Sequence, residues 1–192
     1  MLSASTFHVV ATELAVGTIA LAGGVILLRM IIALKAEDGI GRFGDLLDSA
    51  SLVAAIAGLL ALPFAIITGV LSAPGDGLDN PLLFNKMILS CTAIGLWGAW
   101  LHGRFTLGSR LWTKKPLALI QGMIGLAACG CTLTVASLGG KYLRGESLMG
   151  PFGKPLQYSI AMDTTSAVIA LLAAIAALAT VLLMMPKPSK VD

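Results

Sequence analysis

Five apolar stretches, each about as long as a transmembrane helix, are the feature of this sequence that most restricts its fold. Crossing the hydrocarbon core of a bilayer, about 30 Å thick, takes roughly 20 apolar residues in a helix. Glycine, proline and charged residues separate the stretches. We therefore predict an all-α integral membrane protein, a single domain over residues 1–192. It is a bundle of five transmembrane helices, which cover residues 7–34, 51–73, 82–101, 117–138 and 158–185.

The composition excludes a soluble enzyme, a nucleic-acid-binding protein and a secreted disulfide-bonded scaffold. Hydrophobic residues make up 57% of the chain and charged residues 12%, whereas a soluble domain carries about 25% charged residues. Small aliphatic residues and 22 glycines, rather than aromatic residues, supply the hydrophobicity, which favours closely packed helices over a β-barrel. We therefore expect the lipid bilayer and other membrane protein subunits as partners, and no nucleic acid.

The distribution of Lys and Arg predicts the orientation of the bundle, because cytoplasmic loops are enriched in these residues. The loops after the first and third stretches, with their flanks, and the C-terminal tail are basic. The loop after the second stretch is acidic, with Asp76 and Asp79, although the last loop carries Lys141, Arg144 and Lys154. We predict a multi-pass protein of the cell (inner or plasma) membrane, with its N-terminus outside and its C-terminus in the cytoplasm.

Three charged residues lie within the outer parts of the predicted spans, where a charge costs a few kcal/mol. They are Glu13, Lys86 and Asp163, on the first, third and fifth spans. Because these spans start on the same side, we predict that the three charges converge. The resulting outer polar pocket would be a site for a proton, a cation, a quinone headgroup or a haem propionate. The alternatives are a structural ion pair and side chains that snorkel to the interface. Neighbouring polar residues complete the pocket: His8, Thr12, Asn85 and Ser166.

The two histidines restrict cofactor chemistry. His8 lies near the outer end of the first span and His102 near the inner end of the third, so they cannot bind one haem together. A b-type haem held by this chain would need one of them together with a methionine. The partner of His8 would be Met87 or Met162, and that of His102 would be Met30, Met123 or Met184. Methionine is also a common core filler, and we predict no metal site.

Stripes of small residues indicate where helices pack closely. We expect such stripes at Gly17 and Gly24 in the first span and at Ala170 and Ala174 in the fifth to contact other subunits.

The chain has no catalytic motif, so we predict no catalytic activity of its own. The leading hypothesis is a non-catalytic subunit of a larger prokaryotic membrane complex, in electron transfer or respiratory energy conversion. The alternatives are a b-type haem or quinone-binding membrane subunit and a small transporter or proton channel.

Three segments of the sequence carry a resemblance to a known family: FHV at 7–9, AGLLALPFAIITGVL at 57–71 and LGGKYLRG at 138–145. With these segments, the first four spans resemble DUF2231, an uncharacterised family of small membrane proteins with four helices, over residues 7–145. The resemblance implies a helical membrane fold, no settled activity, and a fifth span outside the family pattern. Family members usually carry a histidine shortly after the double glycine and often one at the start of the third helix; here the first is absent and Asn85 stands near the second.

Overall fold

The protein, analysed as a computed structural model, is built from helices in every part that the structure describes. The described residues are 3–35, 41–72, 80–145 and 163–184. The short 3₁₀ segment Gly108–Trp112 connects the third helix to the fourth. The helices are α1 (Ala4–Lys35), α2 (Arg42–Ser72), α3 (Pro81–Leu107), α4 (Lys115–Arg144) and α5 (Thr164–Met184).

Four of these helices are long and apolar enough to cross a bilayer. With between 27 and 32 residues each, α1 to α4 exceed the roughly 20 residues that a span requires. The fifth helix is also apolar but shorter, with 21 residues. The predicted all-helical membrane class is thereby confirmed.

Three helices extend at least six residues beyond the predicted spans: α2 at its start, and α3 and α4 at their ends, where α4 reaches Arg144. The extensions of α2 and α3 bear on the polar contacts of the bundle. The second begins at Arg42, nine residues before the predicted start at residue 51. The third reaches Leu107 and continues as the 3₁₀ segment to Trp112. Both extensions carry polar residues that pair with each other inside the bundle, as described below. The predicted spans end at such residues because the residues are polar, and the sequence does not show that each has a partner inside the bundle.

Local sequence explains several of the helix ends. Asn80 caps α3, since its side-chain oxygen accepts a hydrogen bond of 3.0 Å from the Leu82 amide. Pro81 follows in the first turn, where its missing N–H has no cost. Gly145 ends α4 with φ of +72°, a left-handed conformation that glycine adopts without strain.

The packing order of the helices is α2, α1, α4, α3 and α5, which places α4 at the centre between α1 and α3. α1 packs against α2 and α4, while α3 packs against α4 and α5; α2 touches α3 only slightly. Trp97 and Trp100 of α3 are fully buried, with their rings edge to face at 5.7 Å between centroids. A smaller cluster of Leu89, Leu138 and Ala167 joins α5 to α3 and α4.

One glycine allows the three central helices to meet. A Cβ atom built on Gly125 of α4 would lie 2.9 Å from Cδ1 of Ile26 and 2.9 Å from Cδ1 of Trp100. Real Cβ atoms do not approach other atoms this closely. Since Ile26 and Trp100 are themselves fully buried, neither can move away without repacking the core.

We predict that Gly125→Val destabilises the protein by about 1–3 kcal/mol, the usual cost of overpacking a core. Gly130→Val is the matched control on the same helix, because a Cβ there meets nothing within 4 Å. Thermal unfolding of both variants in detergent, followed by tryptophan fluorescence, measures the difference. Equal losses in the two variants would contradict the close approach at Gly125.

Candidate functional site

Buried and half-buried polar side chains occur in two layers, one near each end of the bundle. We name them the Asp48 layer (Arg29, Asp48, Arg104 and Trp112) and the His8 layer (His8, Thr68, Lys86 and Tyr142). At 1.5 Å per residue, His8 and Arg29 are about 32 Å apart along α1, and Thr68 and Asp48 about 30 Å apart along α2. This separation matches the hydrocarbon core of a bilayer, about 30 Å.

The Asp48 layer is organised around one carboxylate. Asp48 of α2 is 1% exposed, and its Oδ2 lies 2.6 Å from Nη2 of Arg104 on α3. Its other oxygen, Oδ1, accepts a hydrogen bond of 2.7 Å from the indole nitrogen of Trp112. Both carboxylate oxygens therefore have charged or polar donors, which is what a buried charge requires.

A second arginine completes this layer. The Arg29 guanidinium of α1 lies 5.1 Å from the centroid of the Trp112 ring, a cation–π distance. Arg29 is 3% exposed, and its Nε and Nη1 have no hydrogen-bond partner among the described residues. The carboxylates of Asp48 and Asp45 attract it electrostatically. Asp48 thus compensates cations on two other helices.

We predict that Asp48→Asn destabilises the protein by about 3–5 kcal/mol, because it leaves buried cations without their counter-charge. The double variant Asp48→Asn with Arg104→Gln should be less destabilised than the sum of the single variants. Asp45→Asn removes an exposed acid one turn away, whose attraction on Arg29 is weaker than that of Asp48, and this comparison variant should lose much less stability. Additive losses measured by thermal unfolding in detergent would show that Asp48 and Arg104 do not interact.

The His8 layer surrounds a small cavity between α1, α2, α3 and α4. His8 is buried, and its Nδ1 lies 3.2 Å from the Thr68 hydroxyl. The cavity has a volume of about 20 Å³, which is room for about one water molecule. Its lining includes His8, Ser72, Lys86 and Tyr142.

Two glycines make space for the two basic side chains of this layer. A Cβ on Gly69 of α2 would lie 3.0 Å from Cε1 of His8, and a Cβ on Gly139 of α4 would lie 2.9 Å from Nζ of Lys86. Lys86 acts electrostatically on His8. The bundle therefore holds the imidazole and the ammonium inside, next to one cavity, instead of directing both to the lipid.

The predicted convergence of three charges is only partial. Lys86 lies in the His8 layer, but in the described part of the chain it forms no ion pair with Glu13 or Asp163. Glu13 is exposed, since five residues of helix rotate it about 140° from His8. Asp163 is an N-cap: it accepts hydrogen bonds of 2.9 Å from the amide and the hydroxyl of Ser166. These bonds hold the pKa of the Asp163 carboxyl below its ordinary value.

The remaining polar residues of the predicted pocket lie on the inner faces of their helices. Asn85 is buried next to Lys86 in the sequence. The Thr12 hydroxyl is buried one turn after His8 and has no hydrogen-bond partner among the described residues. The structure therefore brings His8 and Lys86 together and leaves Glu13 and Asp163 apart from them.

The geometry around each histidine bears on the haem hypothesis. His102 lies two residues before Arg104, at the end of the bundle that holds the Asp48 layer, whereas His8 is near the other end. Met87 is exposed, and Met162 lies outside the described residues, as does the side chain of Met184. Within the described ranges, no three His, Cys, Asp or Glu side chains are grouped as metal ligands.

The small-residue stripes of α1 and α5 have different environments. A Cβ on Gly17 or Gly24 of α1 would meet nothing within 4 Å, so this face is free for a partner. The α5 stripe was predicted to contact other subunits, but it packs inside the bundle: Ala174 is buried in the main core and Ala170 packs against the smaller cluster. The reason is that α5 has α3 as its main neighbour and turns its smallest side chains toward it.

Sequence reasoning missed the Asp48 layer entirely. Asp48 was assigned to a loop, and Arg29 and Arg104 counted only as markers of orientation. The sequence offered one signal, the spacing of Asp48 and Ser51, which are one helical turn apart at the start of the second span. In the structure this turn is helical, and the Ser51 hydroxyl donates a hydrogen bond of 2.8 Å to the Asp48 carbonyl.

Comparisons of this chain with protein-family models, with curated proteins and with solved structures found no match. The resemblance to DUF2231 accordingly stays a prediction.

Proposed function

We propose that this chain is a non-catalytic integral membrane subunit of a larger prokaryotic membrane complex. The observation that carries the proposal is the free face of α1, formed by Glu13, Gly17, Ala20 and Gly24. These residues follow one another at spacings of four, three and four, so they lie on one side of the helix. All four are exposed, although the other faces of α1 are covered by α2 and α4.

A surface of this kind suits another transmembrane helix better than it suits lipid. Small residues let two helix backbones approach closely, which is the usual basis of association in membranes. Glu13 adds a reason, because a carboxylate facing hydrocarbon costs a few kcal/mol. The Glu13 carboxylate is about 8 Å further into the bundle than His8, at 1.5 Å per residue. A neighbouring helix with a hydrogen-bond donor at that depth would remove this cost.

We predict that Gly17→Leu with Gly24→Leu releases the chain from its complex without unfolding it, because the added side chains separate the helices. Gly130→Leu is the control, since Gly130 is an exposed glycine on α4 with nothing within 4 Å of its Cβ position. The size of the tagged complex, extracted in mild detergent and resolved on a native gel, is the measurement. A complex of unchanged size in the double variant would count against this face as the interface.

The kind of complex is inferred from the sequence. A small helical bundle with few metal ligands and no catalytic motif is typical of a structural subunit, and we assign the complex to electron transfer or respiratory energy conversion. A haem or quinone held by this chain has less support, because the His8 cavity of about 20 Å³ has room for about one water molecule. If partner subunits hold the redox groups, the absorption spectrum of the complex is the same after His8→Gln and His102→Gln. Loss of a haem band in either variant would favour the cytochrome alternative.

We further propose that all five helices span the plasma membrane, with the His8 layer at the outer surface and the Asp48 layer at the cytoplasmic surface. The basic residues near the Asp48 layer support this orientation, among them Arg110, Lys114 and Lys115. The 21 residues of α5 give a length of about 32 Å, which is enough for a span.

We predict that a cysteine at Asp76 is labelled from intact cells by a membrane-impermeant reagent and that one at Ser109 is not. The background for both is a variant in which Cys91, Cys129 and Cys131 are replaced by Ala. Labelling after cell lysis shows that the Ser109 cysteine is reactive. The opposite pattern would place the His8 layer in the cytoplasm.

A further inference from the structure

The cavity of the His8 layer has an unbalanced charge. Lys86 lines it from α3, and α4 contributes Tyr142 and Gly139. The α2 side contributes Gly69 and Ser72, which carry no charge. Besides His8, the ionisable groups that line the cavity in the described part of the chain are Lys86 and Tyr142, and none of the described lining residues is an acid. In the described part of the chain Lys86 forms no ion pair.

Hydrogen bonding fixes the tautomer of His8. The Thr68 hydroxyl lies 2.6 Å from the Phe64 carbonyl oxygen and donates its hydrogen there. Its oxygen can then only accept from Nδ1 of His8, at 3.2 Å. Nδ1 therefore carries the hydrogen of the neutral ring, and Nε2 is the nitrogen that takes up a second proton.

Lys86 is half-buried, and a Cβ on Gly139 would lie 2.9 Å from its Nζ, so its ammonium loses part of its hydration and gains from a compensating group. Removing a charge from water costs several kcal/mol unless an opposite charge or hydrogen bonds replace the solvent. The cavity volume of about 20 Å³ exceeds the roughly 10–15 Å³ that one water requires. It accommodates one water molecule or one monatomic ion of similar size.

We propose that this cavity binds a small monovalent anion of chloride size, together with one proton on Nε2 of His8. Lys86 and the imidazolium then face the anion from two helices, and the anion offsets their mutual repulsion. With His8 neutral, the same volume holds a water that accepts from Lys86 and donates to Nε2. Because each ligand favours the other, binding of the anion and of the proton is reciprocally linked. The proton comes from solvent and stays on the imidazole while the anion is bound.

Isothermal titration of the full chain in detergent with sodium chloride, at constant ionic strength set by sodium gluconate, tests this site. Two pH values are compared, about one unit below and about one unit above the ordinary histidine pKa of about 6.5. We expect tighter binding at the lower pH, by up to about tenfold per pH unit. Repeating the titration in buffers of different ionisation enthalpy should show uptake of about one proton per chloride. No chloride binding at the lower pH, or equal affinity at both, overturns the proposal.

Variants assign the binding to this cavity. Lys86→Met should abolish chloride binding, and Lys86→Arg should retain it. Lys141→Met is the control, because it removes a cation that is next to Tyr142 in α4 but is not part of the cavity lining. His8→Gln should remove the proton uptake that accompanies chloride binding. If Lys86→Met does not fold, this variant tests whether chloride binds in the cavity. Sodium phosphate is the probe for a lipid headgroup: tighter binding of phosphate than of chloride, or chloride binding that survives Lys86→Met, contradicts a chloride-sized site between Lys86 and His8.

Discussion

The Asp48 carboxylate is the interaction on which one end of the bundle depends. It lies on α2, which has little other contact with α3, and its bonds to Arg104 and Trp112 connect it to the end of α3 and to the 3₁₀ segment that follows. Through the Trp112 ring the same group of side chains reaches Arg29 on α1. Four separate pieces of chain are thus positioned by one anion. A charge pair in an apolar environment specifies such an arrangement because each partner left alone is far more costly than the pair.

Between the two polar layers, the helices are held by size complementarity rather than by the hydrophobic effect. In a bilayer the lipid is as apolar as the side chains, so close packing must supply the stabilisation. Trp97 and Trp100 of α3 provide large rigid surfaces, and Gly125 of α4 provides the matching gap. The indole nitrogen of Trp97 donates to the Thr132 hydroxyl at 3.3 Å, which satisfies a polar group that lipid could not.

The apolar pattern was sufficient to predict helices and their approximate number, because hydropathy and length determine what can cross a bilayer. It was insufficient for contacts between distant residues. Asp48 and Arg104 are far apart in the sequence and lie on helices that touch only slightly, so only the three-dimensional structure shows that they pair. Glu13 and Lys86 are at neighbouring depths, yet depth says nothing of the direction in which a side chain points. The α5 stripe shows the same ambiguity, since Ala170 and Ala174 suit a partner helix and α3 equally well.

The two ends of the bundle differ in how their charges are compensated, and this difference gives them different roles. In the Asp48 layer the counter-charge is internal, so the layer can remain closed and fix the positions of the helices. In the His8 layer the described lining residues are a cation, a titratable imidazole and uncharged groups, and Lys86 forms no ion pair in the described part of the chain. The Asp48 layer would then maintain the fold, while the His8 layer would respond to its surroundings. Such a division is consistent with the proposed subunit, whose exposed α1 face would contact a partner. The exposed Glu13 lies on that face, about 8 Å along the helix axis from His8.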